Sequence, residues 1–133
     1  MLATRLYQNT ARVHFNQYAQ ASQRFGRRLI YGGHVISLAR ALSFNGLANA
    51  FHVAALNAGS HVAPVFAGDT IYAWTEVLET HALPRHEDLG ALRLRTVAAK
   101  NQSCADFPYR DEAGAYHPAV VLDLDYTVLI KRR

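Results

Sequence analysis

Apolar side chains follow helical spacing in the first half of the chain. They recur at i, i+3, i+4 and i+7, and further apolar positions widen this face: Val35, Leu38, Ala39 and Leu42, then Ile36, Ala41 and Phe44. The spacing predicts a long central helix over residues 33–46, with Gly46 as its end. An apolar surface this wide predicts burial on nearly all sides. A shorter polar helix is predicted over residues 15–24, before Gly26.

After this helix, apolar and polar positions alternate with period two, which is typical of strands that bury one face. The alternation is clearest where Leu124, Tyr126 and Val128 are interleaved with Asp123 and Asp125. Four strands are predicted, over residues 48–57, 70–81, 90–101 and 119–131. Long antiparallel strands after one buried helix, with no βαβ crossover, predict an α+β domain in which a sheet wraps the helix.

Composition restricts the class of protein. Half of the 133 residues are hydrophobic and 18% are charged, so residues 1–133 are predicted to form one globular domain. The single cysteine, Cys104, excludes an intramolecular disulfide and favours a reducing, cytoplasmic location. No apolar run reaches the roughly 18 residues of a membrane span, and the N-terminus lacks the pattern of a signal peptide.

The distribution of charge argues against nucleic-acid and metal partners. The net charge of +4 comes from small separate clusters, including Arg24, Arg27 and Arg28, and no nucleic-acid motif accompanies them. A local basic cluster fits a small polyanion, such as a nucleotide-bearing group, and a merely solvated face explains it equally well. The remaining histidines are too widely spaced in the sequence for a metal site: His52, His61, His81, His86 and His117.

Candidate chemistry concentrates between residues 9 and 34. His14 lies in a predicted polar loop that begins at Asn9, and two glycines, Gly32 and Gly33, open the central helix. An imidazole can act as a general base, and the free N–H groups of a helix N-terminus can hold an oxyanion. The alternatives are a structural histidine and a glycine turn that binds nothing.

These motifs resemble the MaoC-type enoyl-CoA hydratases of the hot-dog fold. Tyr31-Gly32 takes the place of the family's His-Gly, and the stretch from Pro64 to Gly68-Asp69-Thr70 resembles its strand-opening segment. Within that family, the chain resembles the C-terminal half of the mesaconyl-CoA hydratases over essentially its whole length. The resemblance implies a hot-dog domain, an antiparallel sheet around a long central helix, that begins after the family's opening strand.

The resemblance implies a lyase that reversibly hydrates an α,β-unsaturated acyl-CoA, and the reaction it implies is that of mesaconyl-CoA to β-methylmalyl-CoA. No metal or separate cofactor is implied, since coenzyme A is part of the substrate. His14 would be the catalytic base, and the amides of Gly32 and Gly33 would hold the thioester oxygen. Asn9 stands where the family has an aspartate, and an amide cannot transfer a proton at neutral pH. Asn9 would instead orient water or the thioester, and either His14 would do both proton transfers or another acid such as His34 would help.

The resemblance also nominates substrate-binding residues. Arg40 is a clamp for the free carboxylate of a dicarboxylic acyl group, or a structural partner of Asp69, Asp123 or Asp125. The other candidates are Arg12 for the same carboxylate, Arg24, Arg27 and Arg28 for the phosphates of coenzyme A, and Tyr31 and His34 as further substrate-binding residues.

Two other functions are weighed against the hydratase. A hot-dog thioesterase would need an acidic residue seven positions after the second glycine, where this chain has Arg40. A non-catalytic or incomplete acyl-CoA-binding half would need a partner domain, because an unpaired sheet edge invites another chain. The expected assembly is a homodimer or a higher oligomer.

Overall fold

The computed structural model describes residues 2–132, which form a four-stranded antiparallel sheet with short helices before it and one longer helix packed on it. The helices are α1 (Leu2–Leu6), α2 (Arg12–Phe15), α3 (Gln17–Ala21), α4 (Gly32–Leu42) and α5 (Phe44–Leu47). The strands are β1 (Ala50–His61), β2 (Ile71–Leu83), β3 (His86–Lys100) and β4 (Val120–Lys131). This arrangement confirms the α+β hot-dog prediction.

The core lies along the two central strands of the sheet. The strand order is β1-β4-β3-β2, and Leu94 of β3 is paired with Tyr126 of β4. Both side chains are almost fully buried, as is Val128, because the period-two pattern directs these apolar residues toward the helix. The four predicted strands are therefore confirmed, with ends shifted by a few residues. Asp125 lies on the opposite parity and faces the other side of the sheet.

The central helix is shorter and less covered than its sequence predicts. Helix α4 ends at Leu42, where Ser43 turns the chain and donates its hydroxyl to the carbonyl of Ala39, 3.0 Å away. Only Val35 and Ala39 are buried within α4. The prediction of burial on nearly all sides is wrong for residues 2–132, because this sheet covers one side of the helix and leaves Leu42 52% exposed.

The predicted polar helix over 15–24 is split in two. Asn16 has an extended backbone between α2 and α3, and its side-chain oxygen caps α3 by accepting a hydrogen bond from the N–H of Ala19 at 2.8 Å. His14 therefore lies in the single turn of α2 rather than in a loop. None of the helices described is long and apolar enough to cross a membrane.

Candidate active site

A cavity of about 340 Å³ lies between α2 and the N-terminal end of α4. Its walls include His14, Gly32, Val35 and residues 61–65. Two backbone hydrogen bonds fix the chain that crosses it: Leu29 N–H donates to Val13 at 3.1 Å, and Ile30 N–H donates to Val65 at 2.8 Å. The fold thus joins α2, the approach to α4 and the segment after β1 in one site.

His14 is held in an orientation suited to a base. Its Nδ1 atom lies 3.0 Å from the carbonyl oxygen of Leu29, and its ring meets Tyr31 edge-on at 5.5 Å between centroids. Because a carbonyl oxygen only accepts hydrogen bonds, we assign the proton of the neutral imidazole to Nδ1. The lone pair of Nε2 is then available to take a proton from water.

The first two amides of α4 remain available as hydrogen-bond donors. Tyr31 precedes the helix with an extended backbone and no side-chain cap, and the N–H of His34 already donates to the carbonyl of Tyr31 at 3.0 Å. In the described chain, no acceptor reaches the N–H of Gly32 or Gly33. Gly32 lines the cavity, so its amide and the helix dipole can favour negative charge there.

The two glycines are required for different close contacts. A Cβ atom on Gly33 would lie 2.5 Å from the ring of Tyr31. A Cβ atom on Gly32 would lie 2.5 Å from Nε2 of His61. Both rings therefore pack directly against the helix backbone, at a distance that only glycine permits.

His61 is a site residue that the sequence did not indicate. It ends β1 and lines the same cavity as His14, and neither of its ring nitrogens has a hydrogen-bond partner among residues 2–132. It lies 47 positions after His14 in the chain, outside any recognisable motif. The one local signal is its position at the end of a strand, just before the segment that closes the cavity.

Asn9 does not share the cavity of His14. Its side-chain oxygen accepts a hydrogen bond from the N–H of Ala11 at 2.9 Å, which closes a local turn. It lines a neighbouring cavity of about 310 Å³ with Arg5 and Phe15. The structure therefore separates the two residues that stand close together in the sequence.

Basic and aromatic side chains cluster beside the mouth of the cavity. Phe25 lines the cavity and meets Phe66 edge-on at 5.7 Å, and the guanidinium of Arg27 lies 3.7 Å from the centre of the Phe66 ring. Arg24 lies over Phe25 at 5.1 Å. Arg28 is directed inward instead, because its Nη1 donates to the carbonyl of Phe15 at 3.4 Å.

Neither Arg12 nor Arg40 lines the cavity of His14. Arg12 is exposed in α2, two residues before His14, and no hydrogen bond or ion pair involves its side chain within residues 2–132. Arg40 lines a separate cavity of about 530 Å³ next to β1, with its guanidinium 6.0 Å from the centre of the Tyr126 ring.

The expected ion pair between Arg40 and a carboxylate is absent from the described chain. The three carboxylates in question have other partners: Asp69 bonds Phe66 and Asn101, Asp123 bonds Tyr109 and Tyr116, and Asp125 bonds Arg93 and Asn57. That structural prediction for Arg40 is wrong, because the aspartates of β4 face away from α4. Its proposed role toward substrate is independent of this result.

Tyr31 and His34 flank the start of α4. Tyr31 packs between His14 and Tyr7, with ring centroids 5.5 and 5.8 Å away. His34 lies 6.3 Å from Tyr7, and its Nδ1 is buried without a partner in the described chain. Neither side chain lines the His14 cavity.

Cys104 and Asp69, which do not line the His14 cavity, have shifted pKa values. Burial raises the pKa of the Cys104 thiol, so the thiolate form is disfavoured. Partial burial also acts on Asp69, but hydrogen bonds from the Phe66 N–H and from Asn101 outweigh it and lower the pKa of that carboxyl. Asp69 is therefore ionised at neutral pH and holds the turn after Phe66.

The sequence and the fold of this chain match those of known proteins. The sequence profile of the mesaconyl-CoA hydratase family matches residues 2–111. A β-methylmalyl-CoA dehydratase from Chloroflexus aurantiacus is 67% identical over the whole chain, which spans 38% of that relative's length. The crystal structure of a MaoC domain dehydratase from Chloroflexus aurantiacus is likewise 67% identical, with a TM-score of 0.95 over 100% of this chain and 38% of that one.

A more distant structure shows the same fold. A protein from Mycobacterium tuberculosis, described as having a double hot-dog fold, is 28% identical with a TM-score of 0.65, over 96% of this chain and 33% of that one. The family profile covers most of the described chain, and the 67% identity extends over all of it. The chain therefore belongs to the mesaconyl-CoA hydratase family.

Proposed function

We propose that this chain adds water reversibly to the double bond of an α,β-unsaturated acyl-CoA, with mesaconyl-CoA as the substrate and β-methylmalyl-CoA as the product. One observation carries the proposal: His14, with a free Nε2, and the first amide of α4 line the same cavity. A base beside an oxyanion site is what hydration of a conjugated thioester requires.

The reaction uses these groups in a defined order. Water loses a proton to Nε2 of His14 while its oxygen bonds to the β-carbon. The electron pair of the double bond moves onto the thioester oxygen, where the amide of Gly32 and the dipole of α4 stabilise the charge. A proton then reaches the α-carbon and restores the thioester. No separate cofactor takes part in these steps.

Substrate specificity comes from arginines around the cavity. Arg12, exposed two residues before His14 on α2, is proposed to pair with the free carboxylate of the mesaconyl group. Arg24 and Arg27, which cover Phe25 and Phe66, form a basic aromatic surface suited to the phosphates and adenine of coenzyme A. Arg28 contributes positive charge as well, but its guanidinium donates a hydrogen bond to the carbonyl of Phe15.

A second hot-dog domain is proposed to cover β1. This strand bonds β4 on one side only, and from Phe51 to His61 every residue is exposed. It contains no Asp, Glu, Lys or Arg, although charges usually protect an exposed edge. The opposite edge, β2, carries Glu76 and Glu79. For this chain on its own, the proposed partner is a second copy in a homodimer.

The alternative function is an incomplete acyl-CoA-binding half. It is favoured by the position of Asn9 outside the cavity and by the open apolar groove between α4 and β1. The chain spans 38% of the C. aurantiacus relative, so the remaining part of such a protein would supply the cover. In that case the chain would bind acyl-CoA but would not hydrate it.

The absorbance of the enoyl thioester separates the two functions. Purified chain is mixed with mesaconyl-CoA or crotonyl-CoA, and the product is identified by mass spectrometry with 18O-labelled water. The hydratase predicts loss of absorbance and one 18O atom in the product. Binding of either thioester without turnover would instead support the incomplete half. A cytoplasmic location is part of this proposal, since acyl-CoA thioesters are made and used in that compartment.

A further inference from the structure

We propose that His61 is the second proton-transfer residue of this site, the group that delivers a proton to the α-carbon. This inference rests on the proposed hydratase function and extends it. Hydration needs a base for water and an acid for the α-carbon, and Asn9 can serve as neither. The only other titratable side chain that lines the cavity of His14, within residues 2–132, is His61.

The position of His61 matches the part of the substrate that must be protonated. Its Nε2 and Cε1 pack against the Cα of Gly32, at the start of α4. The amide of Gly32 is the donor that holds the thioester oxygen, and the α-carbon is two bonds from that oxygen. A proton donor at Gly32 is therefore close to the α-carbon, while His14 approaches from α2.

The surroundings of His61 leave its ring free to carry and release a proton. Its cavity neighbours on the α2 and α4 side are apolar except for His14 and Gly32. On its other side lies a cavity of about 300 Å³, lined by Ile36, Leu122 and other apolar residues together with Ser60. No carboxylate from β1, β4 or α4 lines either cavity, and no protein group holds the ring nitrogens within the described chain.

The proton balance of the step is complete with these two residues. Neutral His14 takes a proton from water as the C–O bond forms at the β-carbon. The enolate then takes a proton from the imidazolium of His61, which forms the C–H bond and re-forms the thioester carbonyl. His14 is left charged and His61 neutral, and exchange of one proton through solvent restores both. The reverse sequence dehydrates the product.

Three variants separate catalysis from packing. His61→Gln and His61→Phe remove the transferable proton, and His61→Phe keeps an aromatic ring against Gly32. His86→Gln is the matched control, because it changes the same residue type at an exposed position at the start of β3, outside this cavity and away from β1. We expect both His61 variants to lose about 10²-fold or more in kcat, with KM within a few-fold of wild type, and His86→Gln to keep its kcat.

The pH profile provides a second readout. A charged His61 and a neutral His14 give a bell-shaped dependence of kcat/KM on pH, in which the fall at high pH belongs to the acid. We expect this high-pH limb to disappear in His61→Gln and to remain in His86→Gln. Imidazole NMR signals should also shift for His14 and His61, but not for His86, when butyryl-CoA is added.

The outcomes distinguish this inference from the function on which it rests. Wild-type kcat in His61→Phe would show that the ring only packs on Gly32, and would overturn the inference while the hydratase stands. An unchanged His61 signal with bound butyryl-CoA would overturn it as well. A wild-type chain that hydrates neither thioester would contradict the proposed function and the role of His61 together.

Discussion

The Nδ1 atom of His14 donates to the carbonyl oxygen of Leu29, 3.0 Å away, and this contact decides which nitrogen of the ring is left as a base. Leu29 is itself fixed, because its N–H donates to Val13 on the same helical turn as His14. The two bonds form a closed link between α2 and the segment that enters α4. They orient the imidazole before any substrate binds.

The glycine at the start of α4 provides a direct test of this geometry. Gly32→Ala places a methyl group 2.5 Å from Nε2 of His61, so the ring must move away. We expect a loss of tenfold or more in kcat/KM with little change in the free energy of unfolding, because alanine is otherwise favourable in a helix. Gly46→Ala is the control, since a Cβ there has no neighbour within 4 Å. Equal activity of the two variants would contradict the close packing proposed here.

Recognition of the acyl carboxylate is tested by comparing two arginines. Arg12→Met should raise KM for mesaconyl-CoA about tenfold or more, since it removes a charge-assisted hydrogen bond. It should leave crotonyl-CoA, which has no free carboxylate, nearly unchanged. Arg40→Met should affect both thioesters alike, because Arg40 lines a different cavity. A mesaconyl-specific loss in Arg40→Met alone would assign the clamp to Arg40 instead.

Because β1 is an exposed edge strand, we expect a dimer that one lysine substitution on β1 dissociates. Val53 on β1 is 46% exposed, and Val77 on β2 is 51% exposed. We expect Val53→Lys to convert the dimer to a monomer in sedimentation velocity, because it places a charge on the uncharged edge. Val77→Lys changes an edge that already carries glutamates and should remain dimeric. A dimer that survives Val53→Lys would mean that copies associate elsewhere.

The ion pair between Arg93 and Asp125 makes the free energy of unfolding depend on pH. Hydrogen bonds from Arg93 lower the pKa of Asp125 below its ordinary value. A carboxyl with a lowered folded pKa stabilises the protein above its unfolded pKa of about 3.9, and this contribution is lost as pH falls through the folded pKa. Asp125→Asn should therefore lower the free energy of unfolding by about 1–2 kcal/mol at pH 7 and by much less below about pH 3.

Urea unfolding at the two pH values measures this difference. Asp106→Asn is the control, because no hydrogen bond or ion pair involves the Asp106 side chain within residues 2–132. It should unfold like the wild type at both pH values. An Asp125→Asn protein with the same deficit at pH 7 and at pH 3 would show that the carboxylate charge is not what stabilises the fold.

The sequence predicts the strands well and the surroundings of the helix poorly, for physical reasons. In β4, side chains must alternate between the two faces of the sheet. The sequence alone therefore predicts that Tyr126 and Asp125 lie on opposite faces. Helical spacing predicts that one face of a helix is apolar, but it does not predict which part of the protein packs on that face. Leu38 and Leu42 fit the helix pattern and are nonetheless exposed, because the sheet reaches one side of α4.

The candidate site was predictable only where its residues belong to one motif. His14 and Gly32 were found because each stands in a recognisable local pattern. His61 was missed because its contact with Gly32 depends on where β1 ends in three dimensions. The family resemblance puts Asn9 in the site with His14, but Asn9 accepts a hydrogen bond from Ala11 and lines another cavity. Neither contact leaves a periodic or compositional trace.

The most direct test of the account is the steady-state hydration of mesaconyl-CoA by the wild-type chain and by His14→Ala, with His117→Ala as a control outside the cavity. We expect His14→Ala to lose about 10²- to 10⁴-fold in kcat, with an unchanged circular dichroism spectrum, and His117→Ala to keep its activity. Equal turnover by His14→Ala and wild type would contradict the assignment of His14 as the base that activates water.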